Sequence, residues 1–139
     1  MNLLLLMMLA ISQPASGPAK EVPEGLNEIH KRDISCVAAF AIVASEQERG
    51  IDRALNYPLL FGRGRTYAGQ VGERVMAETG QSREQVRDAI LAAVADQQTK
   101  AKDAGEPDKI VSKEMEKCLP LLDAALPAIP EPTLNNAQP

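Results

Sequence analysis

The chain has 139 residues, a net charge of −4, 45% hydrophobic residues and no tryptophan. That length holds one domain. A negative balance with both signs mixed along the chain excludes the basic surface of a nucleic-acid binder and the polybasic patch that grips anionic lipid. Aromatics are limited to Phe40, Phe61, Tyr57 and Tyr67. The core must therefore come from Leu, Ile, Val, Met and Ala, and Ala-rich faces bury less area per residue.

Leu3 to Ile11 is an unbroken apolar run, followed by small residues, which is the pattern of a secretory signal peptide. Gly17 and Ala19 occupy the small-residue positions before a cut after Ala19, so Lys20 is expected to begin the mature chain. The n-region is Met1-Asn2 alone, without Lys or Arg. The run is shorter than the ~20 residues of a spanning helix. No cysteine stands just behind it to carry a lipid anchor. Residues 1–19 are thus expected to be a cleaved signal, and 20–28, with Pro23 and Gly25, an extended leader.

A helical pattern runs from about Ile29 to Arg49. Cys36 to Ala44 is apolar on every side, as in a central helix buried by its neighbours. Gly50 ends it, as glycine commonly ends a helix, and Ile51 to Leu55 is expected to form a short helical turn. Tyr57 to Arg65, with Pro58, Gly62 and Gly64, reads as the least regular stretch. It leads into a helix over Thr66 to Thr79, with Tyr67, Val71, Val75 and Met76 at helical spacing and Gly80 at its end. Gly69 and Gly72 on that helix are expected to permit close helix packing.

Ser82-Arg83-Glu84-Gln85 matches a capping box. The helix it opens puts Val86, Ala89, Ile90, Ala93, Val94 and Gln97 on one face and fades near Lys102 to Gly105. Pro107 suits the first turn of a last helix, where Val111, Met115, Cys118, Leu122 and Ala125 make one stripe. Pro120 inside that stripe is expected to kink or break it. Residues 29–127 then form the domain, and 128–139 a polar, proline-rich disordered tail.

No stretch alternates apolar and polar residues as a strand would. The expected fold is all-α, a bundle of about four helices. Cys36 and Cys118 stand 82 residues apart in an exported chain, a spacing that reads as a disulfide joining the first and last helices.

Catalytic signatures are absent. His30 is the single histidine; among Glu28, Lys31 and Arg32 it reads as a surface residue rather than a triad member. One His and two distant Cys cannot supply a tetrahedral metal set, and there is no Cys-x-x-Cys. Glu46 with Glu48, and Glu114 with Glu116, point in different directions on a helix and read as solvated charges. No catalytic residue, metal or cofactor is assigned.

The segment Gly62-Arg63-Gly64-Arg65 carries the one candidate site. Glycines let backbone amides approach a ligand, the following helix N-terminus favours an anion, and two arginines grip a carboxylate or phosphate in fork geometry. Every basic residue from Arg49 to Arg87 is Arg, whereas from Lys100 onward every one is Lys; Arg favours bidentate and interface contacts. The competing reading is a plain turn, with these arginines paired to Glu73, Asp52 or Glu78. Tyr57, Phe61 and Tyr67 gather in the same region, so Arg63, Arg65, Tyr57, Phe61, Tyr67, Gly62 and Gly64 together form a candidate anion or partner contact.

The stretches Asp33 to Phe40, Pro58 to Arg65 and Cys118-Leu119-Pro120 resemble uncharacterised small exported two-cysteine helical proteins of Gram-negative bacteria. That resemblance implies a compartment and a staple, without an activity. In general plan the chain is also similar to two-cysteine periplasmic acid-stress chaperones and to immunity proteins against secreted toxins.

The expected function is a non-enzymatic periplasmic or secreted binding domain whose partner is another protein, with no nucleic acid and no membrane span after signal cleavage. The alternative is an envelope-stress chaperone that opens when acid neutralises its 19 acidic residues. With one histidine, such a switch would rest on carboxylates. A third reading, a small enzyme acting on an anionic substrate, needs a cleft joining Arg63 and Arg65 to a carboxylate of raised pKa.

Overall fold

The computed structural model describes residues 25–127. The expected signal at 1–19, the first part of the leader and the tail at 128–139 lie outside the described residues. Five helices follow one another: α1 (Glu28–Glu48), α2 (Asp52–Leu55), α3 (Phe61–Thr79), α4 (Arg83–Ala104) and α5 (Pro107–Ala125). Among the described residues there is no strand. The fold is the expected all-α bundle, four long helices with a single-turn α2.

α1 is the centre, packed against each of the other four helices. Its run from Cys36 to Phe40 is buried throughout, because a helix apolar on all sides has to be covered on all sides. α1 and α3 run antiparallel, pairing His30 with Glu78, Asp33 with Arg74 and Phe40 with Tyr67. The Phe40 and Tyr67 rings meet edge to face at 5.4 Å, the geometry aromatic quadrupoles favour. Leu60, Met115 and Leu122 complete the centre of the core.

Helix ends follow local chemistry. Ser82 and Gln85 form the expected capping box on α4, and Asn27 with His30 forms a second on α1. His30 Nδ1 accepts from the Asn27 N–H at 3.3 Å. The neutral ring therefore carries its proton on Nε2 and donates it to Glu78, 2.5 Å away. His30 is buried rather than a surface residue, because its capping role turns the ring inward against α3. Gly80 and Gly105 follow α3 and α4 at φ of +71° and +66°, a conformation glycine adopts without a Cβ penalty.

Three further expectations, on the start of α3, its glycines and Pro120, are corrected. α3 begins at Phe61, so Gly62-Arg63-Gly64-Arg65 is its first turn rather than an irregular loop. A Cβ built on Gly69 or Gly72 meets nothing within 4 Å, so neither serves helix packing; the close approach is at Gly64, whose Cβ would stand 3.4 Å from that of Phe40. Pro120 does not break α5, which continues to Ala125. Pro120 and Glu116 are both exposed, so the Glu116 carbonyl that loses its intrahelical donor faces water.

Cys36 and Cys118 form a disulfide between α1 and α5, with Cα atoms 5.2 Å apart. Both cysteines are buried at the centre of the core. Closing a loop of 82 residues restricts the unfolded chain by about 4–5 kcal/mol in the chain-entropy model. Replacing both cysteines with Ser is therefore expected to lower unfolding free energy by about that amount or more, measured as a reduced urea midpoint with a steeper slope, because the unfolded chain without the bridge is less compact.

Candidate functional site

The connection from α2 to α3 is organised by one side chain. The Gln47 amide donates to the carbonyls of Ala54, Tyr57 and Pro58 at 3.1, 3.2 and 2.9 Å, and its oxygen accepts from the Leu60 N–H at 3.1 Å. With these backbone groups satisfied, the loop is held against the end of α1. Leu60 turns fully inward, and its neighbours face solvent. Leu59 is 80% exposed, Leu55 57% and Phe61 56%.

The candidate contact residues divide sharply at this corner. Tyr67 and Gly64 are buried in the core and cannot meet a partner directly. Arg63 is already engaged: its Nη2 donates to Asp123 at 3.0 Å and to the Leu126 carbonyl at 2.5 Å. A cation there closes the C-terminal end of α5, the end that favours positive charge. Its partner is thus Asp123 rather than Glu73, Asp52 or Glu78. Arg65 lies over the Phe61 ring, 4.5 Å from its centroid, and has no carboxylate partner among the described residues. Gly62 is exposed within the first turn of α3 and Tyr57 is half-buried. The structure keeps Phe61 and Arg65 available, places Leu55 and Leu59 near them in the chain, and removes Arg63 from the anion grip. A shallow groove of about 210 Å³ runs behind Phe61 and Arg65, floored by Ala41, Ala44 and Ala68.

Two carboxylates on α1 are buried, and for Glu46 this corrects the expectation of a solvated charge. Asp33 is 1% exposed and is held by Arg32 at 2.7 Å and by Arg74 of α3. Glu46 is 4% exposed and is forked by Arg53 of α2, whose Nε stands 3.0 Å from Oε2. Arg53 also reaches Asp108 of α5 at 2.9 Å. Hydrogen bonds donated to Glu46 and then to Asp108 raise the Arg53 pKa, so its charge is fixed at any working pH. Gln97 of α4 is buried and donates to the Ser35 carbonyl at 2.8 Å. Burial raises the Tyr67 phenol above its ordinary value of 10.0, and the nearby Asp33 charge adds to that shift while Arg74 and Arg32 offset part of it.

A second concavity, which the sequence pattern did not indicate, opens between α1, α4 and α5. It encloses about 500 Å³, with Ile42 and Val43 on one side, Val111 on another, and Arg49 and Lys102 among its charged lining.

Among the described residues no three His, Cys, Asp or Glu side chains gather to hold a metal ion, and no helix is long and apolar enough to cross a membrane. No protein-family model, curated protein or solved structure matches the chain.

Arg53→Ala strands the Glu46 carboxylate in the core and is expected to cost about 3 kcal/mol. Adding Glu46→Leu should recover most of that loss, measured by urea unfolding in a double-mutant cycle. For Tyr67, the folded chain holds the phenolic proton more tightly than the unfolded one. Stability is therefore full below about pH 10 and falls as pH rises beyond the unfolded value. The wild type should lose stability there relative to Tyr67→Phe. In a Tyr57→Phe background, tyrosinate absorbance should rise above the ordinary phenol range and return to it in urea.

Proposed function

We propose that this chain is an exported, non-enzymatic interaction domain of the periplasm or the extracellular space, and that its working surface is the α2–α3 corner. The observation that carries the reading is the exposure of Leu55, Leu59 and Phe61 on a connection fixed by Gln47. Large apolar side chains held outward on a rigid frame bind a partner with little ordering cost. Arg65, stacked on Phe61, adds a cation that a partner carboxylate can pair. The partner this fits is a protein with an apolar ridge beside an acidic residue.

Export is supported by the buried disulfide, which persists in oxidising compartments, together with the apolar N-terminal run. An acid-activated envelope chaperone draws on different features, the buried Asp33 and Glu46 pairs. Protonating either carboxylate would remove a tie between α1 and its neighbours.

One experiment separates these readings. The full chain is expressed in a Gram-negative host with a photo-crosslinking phenylalanine at Leu59 or, as control, at Asp88 on the exposed face of α4. The expected result is recovery in the osmotic-shock fraction with Lys20 first, and one discrete adduct from Leu59 at neutral pH. Phe61→Asp should abolish that adduct, and the Asp88 position should give none. Many adducts appearing only after acidification would support the chaperone instead. Identical adducts from both positions, or none from Leu59, would sink the corner as the working surface.

A further inference from the structure

We propose that the cavity between α1, α4 and α5 is a binding site for an amphipathic carboxylate of the medium-chain fatty-acid class. Its volume of about 500 Å³ lies within the range of small-ligand sites, roughly 300–1,000 Å³. Ala39, Ile42 and Val43 of α1, Ala101 of α4, and Ile110 and Val111 of α5 supply apolar lining. An alkyl tail placed there would gain about 0.8 kcal/mol per buried methylene.

The charges around that lining settle the head group. Arg53 is held between two carboxylates, Glu46 and Asp108, and that cluster keeps one negative charge. Glu114 is paired with Lys117 at 2.9 Å, and the Gln97 amide is occupied by Ser35. Two cations remain. Arg49 makes only a 3.3 Å contact to the Ser45 carbonyl, and Lys102 has no carboxylate partner among the described residues. Both line the cavity.

The nearby ends of α1 and α4 contribute about half a negative charge each, and the start of α5 about half a positive one. Arg49 and Lys102 outweigh the helix ends and the one negative charge left on the Arg53 cluster together, so a small positive surplus favours an anion. Arg49 can hold a carboxylate in fork geometry, with Lys102 as a second point charge. Neither a neutral nor a cationic amphiphile uses this pair. The site is separate from the α2–α3 corner, so it stands or falls without the interaction reading.

The test uses the full-length, disulfide-bonded protein and a dansyl-labelled undecanoic acid as fluorescent probe. Decanoate, decanol and decyltrimethylammonium compete for it. Decanoate is expected to displace the probe best. Arg49→Ala with Lys102→Ala should weaken decanoate by about tenfold or more while leaving decanol nearly unchanged. Val111→Trp and, separately, Ala101→Leu should fill the cavity and weaken all three competitors, with the thermal transition confirming that at least one of these variants is folded.

Equal displacement by all three competitors, unmoved by the cation variants, would overturn the proposal. Failure of decanoate to compete would do the same. Probe binding that appears only after residues 128–139 are removed would assign the cavity to the chain's own tail and also overturn it.

Discussion

A helix that is apolar on every face cannot lie on a surface, and this requirement on α1 dictates the arrangement of its neighbours. One partner covers only one stripe of such a helix. Covering the rest takes α3, α4 and α5, with α2 closing the end. The chain achieves this with few large side chains. Phe40 and Tyr67 supply its one buried aromatic contact among the described residues, and much of the remaining α1 surface is Ala or Val.

Such a surface is well covered but poorly addressed. Val37, Ala38, Ala39 and Val43 are similar in shape, so packing alone discriminates weakly between rotations of α1. Specific links supply the difference, one kind for each neighbour. Glu46 meets Arg53 of α2, Asp33 meets Arg74 of α3, Ser35 meets Gln97 of α4, and Cys36 meets Cys118 of α5. A buried carboxylate without its arginine costs several kcal/mol, so rotations that separate these pairs are penalised. Replacing such a pair with apolar residues is often neutral for stability. Their contribution here is therefore to register more than to total strength.

Much of this architecture is legible from local chemistry. The Ser82–Gln85 box, the glycines at 80 and 105 and the proline at 107 mark helix ends because capping depends on residues within one turn. The start of α3 was missed because two glycines weaken the local helical signal, while the compensations are tertiary: Gln47 on the Leu60 N–H, and Phe40 against Gly64. Glu46 reads as solvated from its pairing with Glu48, and Asp33 carries no burial signal of its own, although both lie in helical step with Cys36, Phe40 and Val43. Extending the buried face by one turn each way would have flagged them. Their partners are another matter. Arg74 is 41 positions from Asp33, and nothing local joins the two. The α1–α4–α5 cavity has no local signature for the same reason, since three helices far apart in the chain form its walls. At the candidate site, the aromatic and arginine content of Tyr57 to Tyr67 was readable. Which of those residues face outward was decided by the helical phase of α3.

All four connections between the helices lie inside the covalent ring closed by Cys36 and Cys118. A protease that cuts any one of them adds a water molecule to the mass and releases no fragment. The two pieces stay tethered at the middle of the core, where reassembly is intramolecular and does not depend on concentration. Wherever the disulfide persists, a nick in this domain is a local lesion from which the bundle can close again.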